Sequence, residues 1–256
     1  ERAAQLSEVG AGIQIGPNVT RILQAWGLGA ALAREFAAHG HDLILVARSA
    51  GKLQALADEL SAQHGIRADI IAQDLAAPDA AAVVHAQVQQ RGLVADILVN
   101  NAGLLFEGPY WETPLASHQQ LVQVNIGAVM ALTHHFLPDM LARGQGRVLN
   151  LGSTSAFQPV PYLATYAATK AFVLSFSEAL GIELKGRGVT VTALCPGFTE
   201  TEMIAKDGGK SMTVPLVRNM TAEEVAQEGY VACMTGSPLH VNGLANRALV
   251  TLGRLQ

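Results

Sequence analysis

The sequence predicts an α/β protein built on a doubly wound parallel sheet, and three observations carry that prediction. Short apolar runs alternate along the chain with amphipathic segments of helical period. Half of the residues are hydrophobic, with abundant Ala, Gly, Val and Leu and few aromatics; parallel strands, covered on both faces, read as near-continuous apolar runs. Polar, glycine-bearing or turn-forming residues follow those runs, at Arg48, Asp74, Asn100 to Gly103, Ser153 and Pro196-Gly197. The carboxyl ends of such strands share one rim, where ligands bind, so one rim implies one site.

The elements follow in order. LGAALAREFAAHG, from Leu28, places Leu32 and Phe36 at helical spacing and stops at Gly40. DLILVARS reads as a buried strand ending at Arg48, and KLQALADELSAQHG as a helix with Leu53, Leu56 and Leu60 inward and a stop at Gly65. ADIIAQDL is the next strand, PDAAAVVHAQVQQRG the third helix and DILVNNAG the third strand. A long helix from about Pro114 to Arg143, the strand RVLNLG, a helix carrying Tyr166 and Lys170, the strand GVTVTALCPG and a helix from Thr221 complete the series. No repeat, low-complexity tract or linker divides residues 1–256, so a single domain is expected.

A net charge of −4 and a pI near 6.1 give no electrostatic footprint for nucleic acid or an anionic membrane. No apolar run approaches a bilayer's span, and the opening ERAAQLSE, without an initiator Met, lacks a signal-peptide core. Cys195 and Cys233 are too few for a disulfide framework and lack metal-ligand spacing, so a cytoplasmic location is expected. Cys195 reads as a small core residue. The adjacent His134 and His135 point in different directions on their helix, and no metal site is expected.

The chemistry concentrates in residues 147–174, RVLNLGSTSAFQPVPYLATYAATKAFVL. Tyr166 and Lys170 stand at i and i+4, on one helix face about a turn apart. A tyrosine hydroxyl titrates near ~10, too high for efficient proton transfer at neutral pH, and a nearby cation lowers that value. Ser153, at the preceding strand end, can hydrogen-bond a carbonyl or alcohol oxygen. Together they form a device for moving a proton on or off a C–O group.

From about residue 27 onward the chain resembles the short-chain dehydrogenase/reductase family. The residues that carry this are NNAG at 100–103, Asn125 in VNIGA, Ser153, YAATK at 166–170 and PGFTET at 196–201. The resemblance implies a Rossmann-like fold and an oxidoreductase that interconverts a ketone or aldehyde and an alcohol with a nicotinamide dinucleotide. It makes Tyr166 the general acid or base and Lys170 the residue that lowers its pKa and holds the ribose hydroxyls. Ser153 would orient the substrate oxygen, and Asn125 would fix a water joining Lys170 to solvent. Asn100, Ala102 and Gly103 would support the adenosine side, Asp74 the adenine, and Pro196, Gly197 and Thr201 the nicotinamide. A homodimer or homotetramer paired through the long helices, and a flap over the substrate at residues 202–218, follow by the same analogy. Phe106, Tyr110 and Trp111 mark an apolar substrate pocket.

Arg48 ends the second strand, where an acidic residue would bind a ribose 2′-hydroxyl and a basic one a 2′-phosphate. It favours NADP over NAD.

The front of the chain departs from the family. Of the glycine-rich phosphate turn only Gly27-Leu28-Gly29 remains, with Ile22, Leu23 and Trp26 where small residues belong. Val19, Ile22, Leu23 and Trp26 follow helical spacing where the fold needs a central strand. Residues 1–28 resemble instead a segment of a flavin-dependent aromatic hydroxylase. The glycines at 10, 12 and 16 form a weak substitute phosphate loop, a bland turn being the simpler reading, and AGIQIG is a makeshift first strand. Two function classes stand: an NADP-preferring oxidoreductase, and a relic that folds or oligomerises without holding a dinucleotide.

Overall fold

The computed structural model describes residues 7–8, 28–197, 199–200 and 219–253. The expectations placed on Gly27, on Thr201, on the stretch 9–27 and on the flap at 202–218 lie outside the described residues.

The described chain opens with β1 (Ser7–Glu8), then α1 (Leu28–Ala38), β2 (Leu43–Ala47), α2 (Ala50–His64), β3 (Ala68–Ala72), α3 (Ala80–Gln90), β4 (Ile97–Asn100) and β5 (Leu104–Leu105). The expected long helix follows as α4 (Leu115–Val122), a π-helical turn (Gln123–Ala128) and α5 (Val129–Arg143). Then come β6 (Gly146–Leu151), α6 (Ala164–Glu183), β7 (Val189–Cys195), β8 (Thr199–Glu200), β9 (Met220–Thr221), α7 (Ala222–Thr235), β10 (Leu239–Val241) and α8 (Leu244–Gly253). Gly40 and Gly65 close α1 and α2 at φ +78° and +69°, a conformation that glycine adopts without a Cβ penalty. A capping box starts α7: the Glu224 N–H donates to Thr221 Oγ1 and the Thr221 N–H to Glu224 Oε2.

The architecture is the expected Rossmann-like one. β4, β6, β7 and β10 pair in parallel as one sheet, and β2 pairs in parallel with β3. Apolar side chains pack on both faces. One core joins Leu32 and Phe36 of α1, Leu53 of α2 and Val225 of α7 to Leu45 and Leu149. The other joins Val84 of α3, Leu121 of α4 and Phe136 of α5 to Val148 and Val191.

Among the described residues β2 and β4 each have a partner on one side only. In β6 and β7 all but one residue is buried, whereas Ile97, Leu98 and Val99 of β4 are half-buried, as are Ile44 and Val46 of β2.

Candidate active site

The parallel strands bring the expected residues to one rim. Arg48 follows β2, Asp74 follows β3, Asn100 to Gly103 end and follow β4, Ser153 follows β6, and Pro196-Gly197 follow β7. Gly29 is buried in the first turn of α1. Two main-chain bonds tie the exits of β6 and β7: the Gly152 N–H donates to the Leu194 carbonyl at 2.7 Å, and the Thr154 N–H to the Pro196 carbonyl at 2.9 Å.

Ser153 caps a 3₁₀ turn (Thr154–Phe157), its Oγ accepting from the Ser155 N–H and donating to Ser155 Oγ. Gly152 is needed for the approach before it. A Cβ there would lie 2.6 Å from Cys195 Sγ and 3.3 Å from the Leu194 carbonyl.

Tyr166 and Lys170 lie buried on α6, with relative exposures of 7% and 3%. Lys170 Nζ is 5.6 Å from the centre of the Tyr166 ring and donates to the Leu151 carbonyl at 2.7 Å. Burial pushes the Tyr166 hydroxyl up to about 12, opposed by hydrogen bonding from Ser153 and reinforced by Cys195. Burial also lowers Lys170 to about 8, against a raising influence from Cys195. The expectation that Lys170 brings Tyr166 below its ordinary range is thereby corrected for the protein alone. Desolvation of the phenolate in the packed core is the largest influence on it.

Asn125 sits inside the π-helical turn, a form that recurs where a helix is bent to place a functional residue. Its Oδ1 accepts from the Leu104 N–H at 2.7 Å, while Nδ2 donates to the Leu104 carbonyl and to Thr169 Oγ1, each at 3.0 Å. Thr169 Oγ1 in turn donates to the Tyr166 carbonyl at 2.7 Å. Asn125 therefore clamps the segment after NNAG to the helix of Tyr166.

A second buried chain supports the rim. Asn100 Nδ2 donates to Asn150 Oδ1 and Thr133 Oγ1, and Asn150 Nδ2 to Ser177 Oγ. Sequence reading missed Asn150 and Thr169, although a signal existed: Asn100 and Asn150 interrupt apolar strand runs, and the register sets them opposite one another. Of the expected pocket aromatics, Phe106 is buried in the core, whereas Tyr110 and Trp111 are exposed. Tyr110 stacks on His118, whose Nδ1 meets Thr165 Oγ1 at 3.0 Å beside Tyr166. Tyr162 holds a left-handed φ of +65°, and its carbonyl accepts from the Gly108 N–H.

His134 and His135 meet edge to face, and no group of three metal-ligating side chains occurs among the described residues. The donors on the rim fit a dinucleotide. Asn101 Nδ2 and Asn100 Oδ1 are buried at the end of β4 without a partner among the described residues, leaving one donor and one acceptor for a ligand along the rim.

A parallel α/β sheet with a buried Tyr–Lys pair and a serine on its carboxyl rim defines an oxidoreductase of the dinucleotide-binding kind. Residues 24–211 match the short chain dehydrogenase family model, and the chain belongs to that family. It is 37% identical over 223 residues to a serine 3-dehydrogenase of Agrobacterium fabrum, covering 84% of this chain and 86% of that protein. A very-long-chain 3-oxoacyl-CoA reductase of Bos taurus is 32% identical, with coverages of 84% and 69%. Among solved structures, a short-chain dehydrogenase from Sphingobium yanoikuyae in complex with NADPH superposes with a TM-score of 0.79 at 31% identity, covering 95% of this chain and 92% of that one. A bulky-bulky ketone specific alcohol dehydrogenase from Comamonas testosteroni gives 0.77 at 26%, with coverages of 94% and 91%.

Proposed function

We propose that this protein is an NADP-preferring oxidoreductase that interconverts a small ketone or aldehyde and its alcohol, with Tyr166 as the proton donor or acceptor. The observation that carries the reading is the burial of Tyr166 and Lys170 together beside Ser153 at the ends of β6 and β7. A bound nicotinamide supplies or accepts the hydride.

The chain's own residues do the rest. Tyr166 holds its proton at Oη through the neutral range and delivers it to the substrate oxygen in reduction, and Ser153 Oγ orients that oxygen. Lys170, charged below about 8, stabilises the phenolate left behind and offers donors to ribose hydroxyls. Asn125, held through its side chain to Leu104 and Thr169, would fix the water that joins Lys170 to solvent. Arg48 and Ser49 beside it would hold the 2′-phosphate, Asp74 the adenine, Asn100 to Gly103 the adenosine, and Pro196, Gly197 and Thr201 the nicotinamide. Gly27 and Gly29 would line the pyrophosphate at the N-terminus of α1. Relatives solved with NADPH support NADP as the cofactor.

Exposed Leu115, Val122, Met130 and Ile182 on the long helices support pairing of copies into a homodimer or homotetramer. The two buried cysteines, which form no disulfide with each other, support a reducing, cytoplasmic compartment. Among the described residues no helix is long and apolar enough to cross a membrane.

Titrating NADPH into the full chain, followed by calorimetry, tests the reading. Saturable micromolar binding is expected. Absence of binding at millimolar concentration would replace the enzyme with the relic that folds but holds no dinucleotide.

A further inference from the structure

Polar side chains also reach the rim from the last strand and helix. β10 pairs in parallel with β7, Val241 lying opposite Cys195, so the residues after the two strands emerge side by side. Pro196 and Gly197 follow β7, and Asn242 and Gly243 follow β10. Gly243, at a left-handed φ of +77°, turns the chain into α8, where the Arg247 N–H donates to the Gly243 carbonyl at 3.1 Å. The turn brings Asn246 back over the exit of β7. Asn246 is polar yet buried, with a relative exposure of 8%.

The contact it makes there is close. A Cβ on Gly197 would lie 2.4 Å from Asn246 Nδ2 and 2.8 Å from its Cγ and Oδ1, so a larger residue at 197 would have to displace the amide. The amide is itself held, because Nδ2 donates to the Asn242 carbonyl at 2.9 Å. Asn242 is wholly buried; its Nδ2 donates to Glu228 Oε2 of α7 at 3.0 Å and its N–H to the Cys195 carbonyl at 3.4 Å. Arg247 Nε donates to the Val241 carbonyl at 2.7 Å and ties α8 down onto β10.

Gly197 needs such a stop. Pro196 before it has a ring-locked φ and a carbonyl that accepts from the Thr154 N–H. Gly197 has neither a ring nor a Cβ and is the pliable member of the pair. We propose that Asn246 is a positioning residue for the nicotinamide: its amide, braced by Asn242, fixes the Gly197 main chain against which the ring is set. This rests on the oxidoreductase reading and extends the cofactor site to α8. A misplacement of about 1 Å can cost ~10²-fold in rate, so a residue that acts only through Gly197 has leverage on the chemistry.

Calorimetry on the full chain with two probes tests the assignment: NADPH, and adenosine 2′,5′-bisphosphate, which carries the adenine and the 2′-phosphate but no nicotinamide. Asn246→Ala is expected to bind NADPH about tenfold more weakly and adenosine 2′,5′-bisphosphate within about twofold of the parent. The circular dichroism that binding induces in the reduced nicotinamide should weaken as well. Asn246→Asp, nearly isosteric, sets an oxygen against the Asn242 carbonyl in place of a donor and should show the same selective loss. Unchanged NADPH binding in both variants would overturn the proposal. Equal losses for the two probes, the mark of general damage to the fold, would overturn it too. A parent that does not bind NADPH defeats the oxidoreductase reading and this proposal with it, whereas a parent and variants that bind NADPH equally well defeat this proposal alone.

Discussion

The Lys170 ammonium donates to the Leu151 carbonyl at 2.7 Å, two residues before Ser153 in the chain. The cation beneath the Tyr166 ring is thus anchored to the strand that delivers the serine. Helix α6 and strand β6 cannot shift against each other without breaking a charge-assisted bond buried from water. Three groups with one proposed task are held in register by a contact that involves neither Tyr166 Oη nor Ser153 Oγ.

Removing the Tyr166 hydroxyl should leave the fold and NADPH binding in place and remove the proton. Tyr166→Phe is expected to lower turnover by ~10²–10⁴-fold, the range for loss of a positioned acid or base. Turnover equal to the parent would contradict the assigned role. Ultraviolet titration offers a second readout: the variant should lack the phenolate that forms near pH 12 in the parent.

Lys170 links pH to stability. Burial lowers it from its ordinary 10.5 to about 8, so between those values the unfolded chain binds more protons than the folded one, and stability rises with pH across that window. Below about 8 the whole penalty of a buried charge is present. Lys170→Met should therefore be more stable than the parent at pH 7, by at most about 3–4 kcal/mol at ~1.4 kcal/mol per pKa unit, the gap closing as the pH approaches 10.5. Denaturant unfolding of both proteins at pH 7 and pH 10 measures it; a gap that widened with pH would refute the assignment.

The same titration acts on catalysis with the opposite sign. In the proposed mechanism carbonyl reduction needs Tyr166 protonated and Lys170 charged, so kcat for reduction should fall above pH about 8. Alcohol oxidation needs the phenolate and should be favoured by rising pH until Lys170 discharges. Reduction that keeps its full rate to pH 10 would remove Lys170 from the mechanism.

Arg48 follows β2 on the rim, and under the proposed NADP preference Arg48→Asp would exchange a phosphate ligand for a hydroxyl ligand. The ratio of kcat/KM for NADPH over NADH should fall by about tenfold or more, each tenfold being ~1.4 kcal/mol. An unchanged ratio would assign Arg48 a structural task only.

Gly152→Ala should push against Cys195 Sγ and displace Ser153, destabilising the protein by ~1–3 kcal/mol as overpacking does. Adding Cys195→Ala removes the sulfur and should recover part of both stability and kcat. The Leu194 carbonyl, 3.3 Å from the added carbon, would keep the recovery incomplete. A double variant no better than the single would place the constraint elsewhere.

Periodicity and turn residues alone determined much of this molecule. The alternation of LILVA-type runs with helices stopped by Gly40 and Gly65 fixed the α/β class, because buried parallel strands and helix ends depend on local chemistry. Tyr166 and Lys170 were legible as a pair for the same reason: their relation is one turn of one helix. Tertiary structure decided what depends on neighbours distant in sequence. It set the sign of the Tyr166 shift, since desolvation is a property of the packed core and not of the Tyr–Lys spacing. It gave Asn125 its bonds to Leu104 and Thr169, and opened the helix around it into a π turn that no residue pattern announces.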